Sequence, residues 1–249
     1  TPRAFSQMLS NEEKEILTLQ DERTLGENDK LLEYLESADN KVKLRALYAL
    51  ANISDTASVY KTSPFLQDLY EDKNAAALLN EYAFYLGQTI CEQSREKLSL
   101  LTYSDNENIY KSLPEIITSL GKTGNGEDMN YLINIISVKK FDEEYSMKIY
   151  RALAMAIGRF AMRKISNEKS VDALKQMANI EDTVVQRNIA FSLWRTGDKS
   201  LLDTAKQEIY TLAESKDAQT RMWAFSAMGK LQDKMLLMYM LESFNSEDD

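Results

Sequence analysis

The chain has 249 residues, 44% of them hydrophobic, with only eight glycines and three prolines, a composition that suits a folded protein of long helices better than a turn-rich β fold. A net charge of −9, the absence of histidine and a single cysteine argue against a generic nucleic-acid binder and remove His-based catalysis, His-ligated metals, CxxC redox pairs and intrachain disulfides. No apolar run approaches the roughly 20 residues that cross a bilayer, so no membrane span is expected.

The first predicted helix covers 11–22, opened by Ser10 and Glu13 in a capping-box spacing. A second, over 27–37, serves as the leading helix of a repeat. Then comes a phrase that returns through the chain: Asp39-x-x-Val42-Lys43-x-x-Ala46-x-x-Ala49-Leu50-Ala51-x-Ile53-x-Asp55. Its clearest returns begin at Asp182 and Asp217, and the equivalents of Leu50 are Leu86, Leu120, Ile157, Leu193 and Met228, at intervals of 36, 34, 37, 36 and 35 residues. Within each phrase the apolar positions fall at i, i+3, i+4 and i+7, on one face of a helix. Between the phrases lie amphipathic partners: Phe65-Leu66-x-x-Leu69-Tyr70, Leu98-x-Leu100-Leu101, Met129-x-Tyr131-Leu132-x-x-Ile135-Ile136, Val171-x-x-Leu174-x-x-Met177 and Leu201-Leu202-x-x-Ala205-x-x-x-Ile209. Each repeat is therefore an antiparallel pair, helix A then helix B, and such a period predicts a stack of units rather than one closed core. The segment Met235–Leu241 is expected to be the A helix of a further half repeat.

The expected fold is all-α, a right-handed α-solenoid of about six helix pairs. The expected organisation is one solenoid over 1–249, with an N-terminal helix in 1–26, six repeats in 27–233, and a half repeat with an acidic tail in 234–249. Charge follows position. Residues 1–39 hold 4 basic and 10 acidic side chains, the last ten hold 4 acidic and none basic, and the remainder balances at +1. The position of Ala51 is Gly in four of its six occurrences, Gly87, Gly121, Gly158 and Gly229, with Trp194 the exception. Close backbone approach or a helix end would explain that preference.

The phrase resembles HEAT repeats, through Asp39, Val42, Lys43, Ala46, Ala49, Leu50 and Asp55 and their counterparts. The resemblance implies an α-solenoid whose B helices line a concave face, in a family of scaffolds and adaptors. Ile16-Leu17-x-Leu19-x-Asp21-x-Arg23 also resembles the opening of bacterial proteins that carry HEAT repeats ahead of a cyclophilin-type peptidyl-prolyl isomerase domain. That domain's catalytic Arg and aromatic pocket have no counterpart here, so the resemblance implies a non-catalytic arm with isomerase activity on other sequence.

No catalytic, cofactor-binding or metal residue is expected. Gly121-Lys122-Thr123 lacks the earlier Gly and the preceding strand of a phosphate loop. A glycosylase-like DNA-binding solenoid would need a basic groove, which a body charge of +1 does not provide. Cys91 fits a reducing compartment without excluding export, so localisation stays open. The outward columns of the B helices are more informative. They place Tyr48, Phe84, Met155 and Phe191 in one line and Arg159 and Arg195 in another, with Arg151 and Arg187 in a third. Exposed apolar groups beside cations suit a protein or peptide partner; the competing reading is that they pack on the adjacent B helix. The expected partner-binding residues are Tyr48, Phe84, Arg151, Met155, Arg159, Arg187, Phe191 and Arg195.

Overall fold

The computed structural model describes residues 9–71, 75–103, 106–138, 142–235, 238 and 241. Its helices are α1 (Asn11–Asp21), α2 (Lys30–Glu33), α3 (Asn40–Ile53), α4 (Thr56–Lys61), α5 (Ser63–Glu71), α6 (Ala76–Gln88), α7 (Glu92–Thr102) and α8 (Glu107–Thr123). They continue as α9 (Gly126–Val138), α10 (Glu143–Met162), α11 (Glu168–Met177), α12 (Thr183–Arg195), α13 (Lys199–Thr204), α14 (Lys206–Ala213) and α15 (Ala218–Leu231). There is no strand among the described residues. The chain forms two compact units, Thr1–Ser119 and Leu120–Asp249, divided inside α8. Most of the half repeat expected at 235–241, the whole acidic tail, and the side chains of Tyr70 and Ile136 lie outside the described residues.

The B helices are α3, α6, α8, α10, α12 and α15, and they carry the repeated phrase. The two acidic ends of that phrase have separate tasks. The first caps helix B: Asp39 accepts from the Lys41 N–H, Asp182 from Val185 and Asp217 from Thr220. The second caps the next helix A: Asp55 accepts from Ser58 N–H and Asp198 from Ser200 N–H. A side-chain oxygen there satisfies orphan N–H groups that would otherwise open the first turn. Ser10 and Glu13 form the expected capping box at α1, with both reciprocal bonds present. Ile16 and Leu19 of the N-terminal motif are buried core residues of this helix.

The second predicted helix differs from expectation. Residues 27–37 form a single α turn between two 3-10 turns. Asn28 and Asp29 both take positive φ, and Gly26 precedes them at +79°. Short polar side chains tolerate that left-handed region, which ends any helix passing through it. Two A helices are also broken, α4 from α5 at Thr62 and α13 from α14 at Ala205. These two buried residues occupy the same repeat register, four repeats apart.

The equivalents of Leu50 are all buried, as are Ala46, Tyr82, Ile116, Leu153, Ile189 and Ala224 in the Ala46 column. Each large side chain removed from water is worth about 1.5–3 kcal/mol. The glycine column allows neighbouring B helices to touch. In the first unit a Cβ on Gly87 would stand 2.6 Å from the Ser119 Cβ. In the second, one on Gly121 would stand 2.7 Å from the Ala156 Cα, and one on Gly158 2.7 Å from the Phe191 Cδ1. Small residues of one helix thus sit opposite the glycine of the preceding one. Side chains also bond to the carbonyls of the preceding B helix: Ser112 to Ala76 at 3.1 Å, Asn188 to Arg151 at 2.9 Å and Ser192 to Ala154 at 2.6 Å. Their sequence separations, 36 to 38, are one repeat.

Candidate functional site

In the first unit the outward column places Tyr48 on α3 and Phe84 on α6. The rings stack at 6.3 Å between centroids and 8° between planes, with Tyr48 47% exposed and Phe84 half-buried. An open pocket of about 350 Å³ beside them is lined by Glu13, Lys41, Leu44, Arg45 and Tyr48. Glu81, on α6, is half-buried. Burial, and then the charge of Glu115, hold its carboxyl above the usual range.

In the second unit α10, α12 and α15 pack side by side, bringing six of the expected residues onto neighbouring helices. Arg151 donates to Asp182 through Nε at 3.1 Å and Nη2 at 2.5 Å. Arg187 donates to Asp217 through Nε at 3.1 Å and Nη2 at 2.7 Å. Both arginines thus clamp the capping aspartate of the next B helix. Asp182 is held below the usual carboxylate range first by its Arg151 hydrogen bond, and Asp217 well below it first by Arg187 and then by Thr220. A partner's carboxylate would have to compete with these bonds. Met155 and Arg159 on α10 are half-buried.

Phe191 and Arg195, on α12, belong to a cluster that sequence reasoning saw only in part. Phe191 lies 6.1 Å from the Trp194 ring and 5.7 Å, edge-on, from Trp223 of α15. Trp194 and Trp223 stack at 4.4 Å and 23°. The Arg195 guanidinium carbon is 3.8 Å from the Trp194 centroid and 5.3 Å from that of Phe191. Lys230 of α15 approaches the Trp194 ring at 5.7 Å and donates to the Trp194 carbonyl. All three aromatic side chains are half-buried. Phe191 is therefore half-buried and packs on both neighbouring B helices, as the competing reading of its column expects. The signal for Trp194 was available: a Trp in a column of glycines has no room beneath the next helix and must lie across it. Trp223 falls in the Arg45 column, beside the outward columns, and periodicity alone does not mark it.

Arg163 donates to the Gly124 carbonyl at 2.6 Å and the Gly121 carbonyl at 3.0 Å, closing the end of α8. Gly121-Lys122-Thr123 sits in that last turn, where a helix presents carbonyls and not the N–H groups that hold phosphate. Cys91 occupies the N-cap position of α7. Among the described residues no helix is long and apolar enough to cross a membrane.

No family model matches the sequence, and no curated protein does. Solved structures do. The chain is similar to two engineered proteins from the Northeast Structural Genomics Consortium. One has 17% identity and a TM-score of 0.53, covering 82% of this chain and 97% of that one. The other has 16% identity and a TM-score of 0.54, covering 82% and 95%. It is also similar to a designed armadillo repeat protein in complex with the peptide (KR)4, at 15% identity and a TM-score of 0.52, covering 81% and 98%. At these identities the likeness concerns the fold: this is an all-α helical-repeat protein of the α-solenoid class.

Proposed function

We propose that the chain is a non-catalytic interaction module that binds a peptide, or an extended segment of a protein, on the outward face of its B helices. The observation that carries this reading is the platform of Phe191, Trp194 and Trp223, half-exposed and edged by Arg195 and Lys230. Aromatic and arginine side chains dominate binding energy when a partner desolvates them. Stacked rings present a large rigid surface that loses little rotamer freedom on binding. Arg151, Met155, Arg159 and Arg187 extend the same face over α10 and α12, while Tyr48 and Phe84 give the first unit an aromatic contact of its own. The preferred partner is acidic with aromatic or aliphatic anchors. The designed armadillo neighbour was solved with a basic peptide; the cationic edge here supports the opposite charge.

Selection of short peptides from a displayed random library on the purified chain tests this reading. Enriched sequences should be acidic, should contain apolar anchors, and should lose binding on Trp223→Ala. Enriched peptides that bind Trp223→Ala and Phe191→Ala as well as the wild type would remove the platform from the interaction. The absence of catalysis is tested by assaying the same chain on a proline-containing peptide and on damaged duplex DNA. Turnover abolished by a point substitution in the chain would overturn that part.

A further inference from the structure

Arg195 differs from the other arginines whose partners are defined on its face. Arg151 and Arg187 each present the Nε–Nη2 edge to one aspartate and make two bonds to it. The Nε of Arg195 is shut off from solvent and has no acceptor. No carboxylate among the described residues pairs with this guanidinium. Its contacts are instead with the faces of Trp194 and Phe191, which hold the planar group and leave the N–H bonds of its two terminal nitrogens for an acceptor. A second cation stands beside it. The Lys230 ammonium is pushed below its ordinary range by burial and then by the charge of Arg195, as follows when two like charges meet with no anion between them.

We propose that Arg195 receives a side-chain carboxylate of an acidic peptide partner, bound by one bond from each of its terminal nitrogens, Nη1 and Nη2, since its Nε lies out of a partner's reach. Lys230 adds charge, and the Trp194–Trp223 stack covers the apolar side chain next to that carboxylate. The inference rests on the reading of this face as a peptide-binding surface. Carboxylate is the chemistry that the face already pairs by two bonds, at Arg151 with Asp182 and at Arg187 with Asp217, there along the Nε–Nη2 edge. A planar acceptor matches the planar guanidinium in both. The two structural clamps and the proposed recognition pair then differ in the guanidinium edge they use and in where the carboxylate comes from.

Three fluorescent peptides of one design test it: glutamates around two leucines, the same peptide with glutamine for glutamate, and the same with phosphoserine. Binding is read by polarisation. The glutamate peptide should bind the wild-type chain most tightly, and Arg195→Gln should weaken it by about tenfold or more. The same substitution should leave the glutamine peptide unchanged. Arg187→Gln should lower the melting temperature without this discrimination, which separates recognition from structure. Equal loss of the glutamate and glutamine peptides on Arg195→Gln, or no loss of either, would overturn the assignment of Arg195 while leaving the surface in place. Tighter binding of the phosphoserine peptide through Arg195 would overturn carboxylate as the occupant. Failure of all three to bind, together with a library selection that yields nothing sensitive to Trp223→Ala, would overturn the surface itself.

Discussion

At the scale of single residues, the sharpest test lies in the glycine column. Gly121 has the Ala156 Cα at 2.7 Å and the Ala156 carbonyl oxygen at 3.3 Å from where a Cβ would be. Backbone cannot rotate away as a side-chain tip can, so Gly121→Ala should destabilise the fold by about 1–3 kcal/mol through overpacking. Gly197, with nothing within 4 Å of its added Cβ, is the control: Gly197→Ala should leave the melting temperature unchanged or slightly raised. Equal melting temperatures for the two variants would mean that the close approach is not tight. The steric demand of this column was legible in the sequence because it recurs. The commitment of Arg151 and Arg187 was not, because each aspartate partner lies 31 or 30 residues on and meets its arginine only after neighbouring repeats have packed. Phe191 shows why burial of an outward column is hard to read: its ring covers the bare glycine of the preceding helix, which periodicity on one helix does not reveal.

At the scale of elements, both ends of neighbouring B helices in the second unit are joined by charge. At the N-terminal end, Arg151 and Arg187 tie each helix to the cap of the next. Toward the C-terminal end, Arg163 and Lys230 donate to carbonyls of the preceding helix. Asp217→Ala should cost about 1 kcal/mol from the lost cap, with a further loss from the unpaired Arg187, and should exceed the effect of Arg187→Gln in the same melt. The pH dependence has a definite sign. Asp182 and Asp217 are depressed by their arginines, and Asp233 is drawn down to about 2, first by Lys206 and then by Tyr210. An unfolded aspartate titrates near about 3.9, so these carboxylates contribute stability above that pH and lose it as pH falls through their lower folded values. The melting temperature should therefore decline from about pH 4 downward. In Arg187→Gln the decline should be shallower; an unchanged slope would show that the clamp is not made in solution. Helix existence and the B-helix core were written in the periodicity. The breaks at Thr62 and Ala205 were not, since both residues are compatible with a continuing apolar stripe and the interruption lies in the backbone.

At the scale of the whole molecule, charge distributes differently from what a reading of the ends against the body suggests. The first unit holds 12 basic and 20 acidic residues, a net of −8; the second holds 18 basic and 19 acidic, a net of −1, and the last ten residues supply −4 of that. The acidic character of the chain is thus mainly that of the first unit, and the cationic edge of the second is set in a nearly balanced surround. That edge could not be assembled from sequence alone, because it needs Trp194, Trp223 and Lys230 on neighbouring helices at a register that only the packed pair supplies. The bonds that join one B helix to the next have a different consequence. They are interchangeable parts. Asp217 stands to Arg187 as Asp182 stands to Arg151, and Ala227 holds the repeat position of Ser192. A chain from which 182–216 is excised would join residue 181 directly to Asp217 and present α15 to α10. Arg151 would find its capping aspartate, Gly158 would find a small residue, and Met228 would take the place of Leu193. Such a shortened chain should fold with a cooperative melt by circular dichroism, without the tryptophan stack. A chain that fails to melt cooperatively would show that its repeats are individually fitted. A cooperative one would show that this architecture can gain or lose length one whole sentence at a time, with the punctuation already in place at each join.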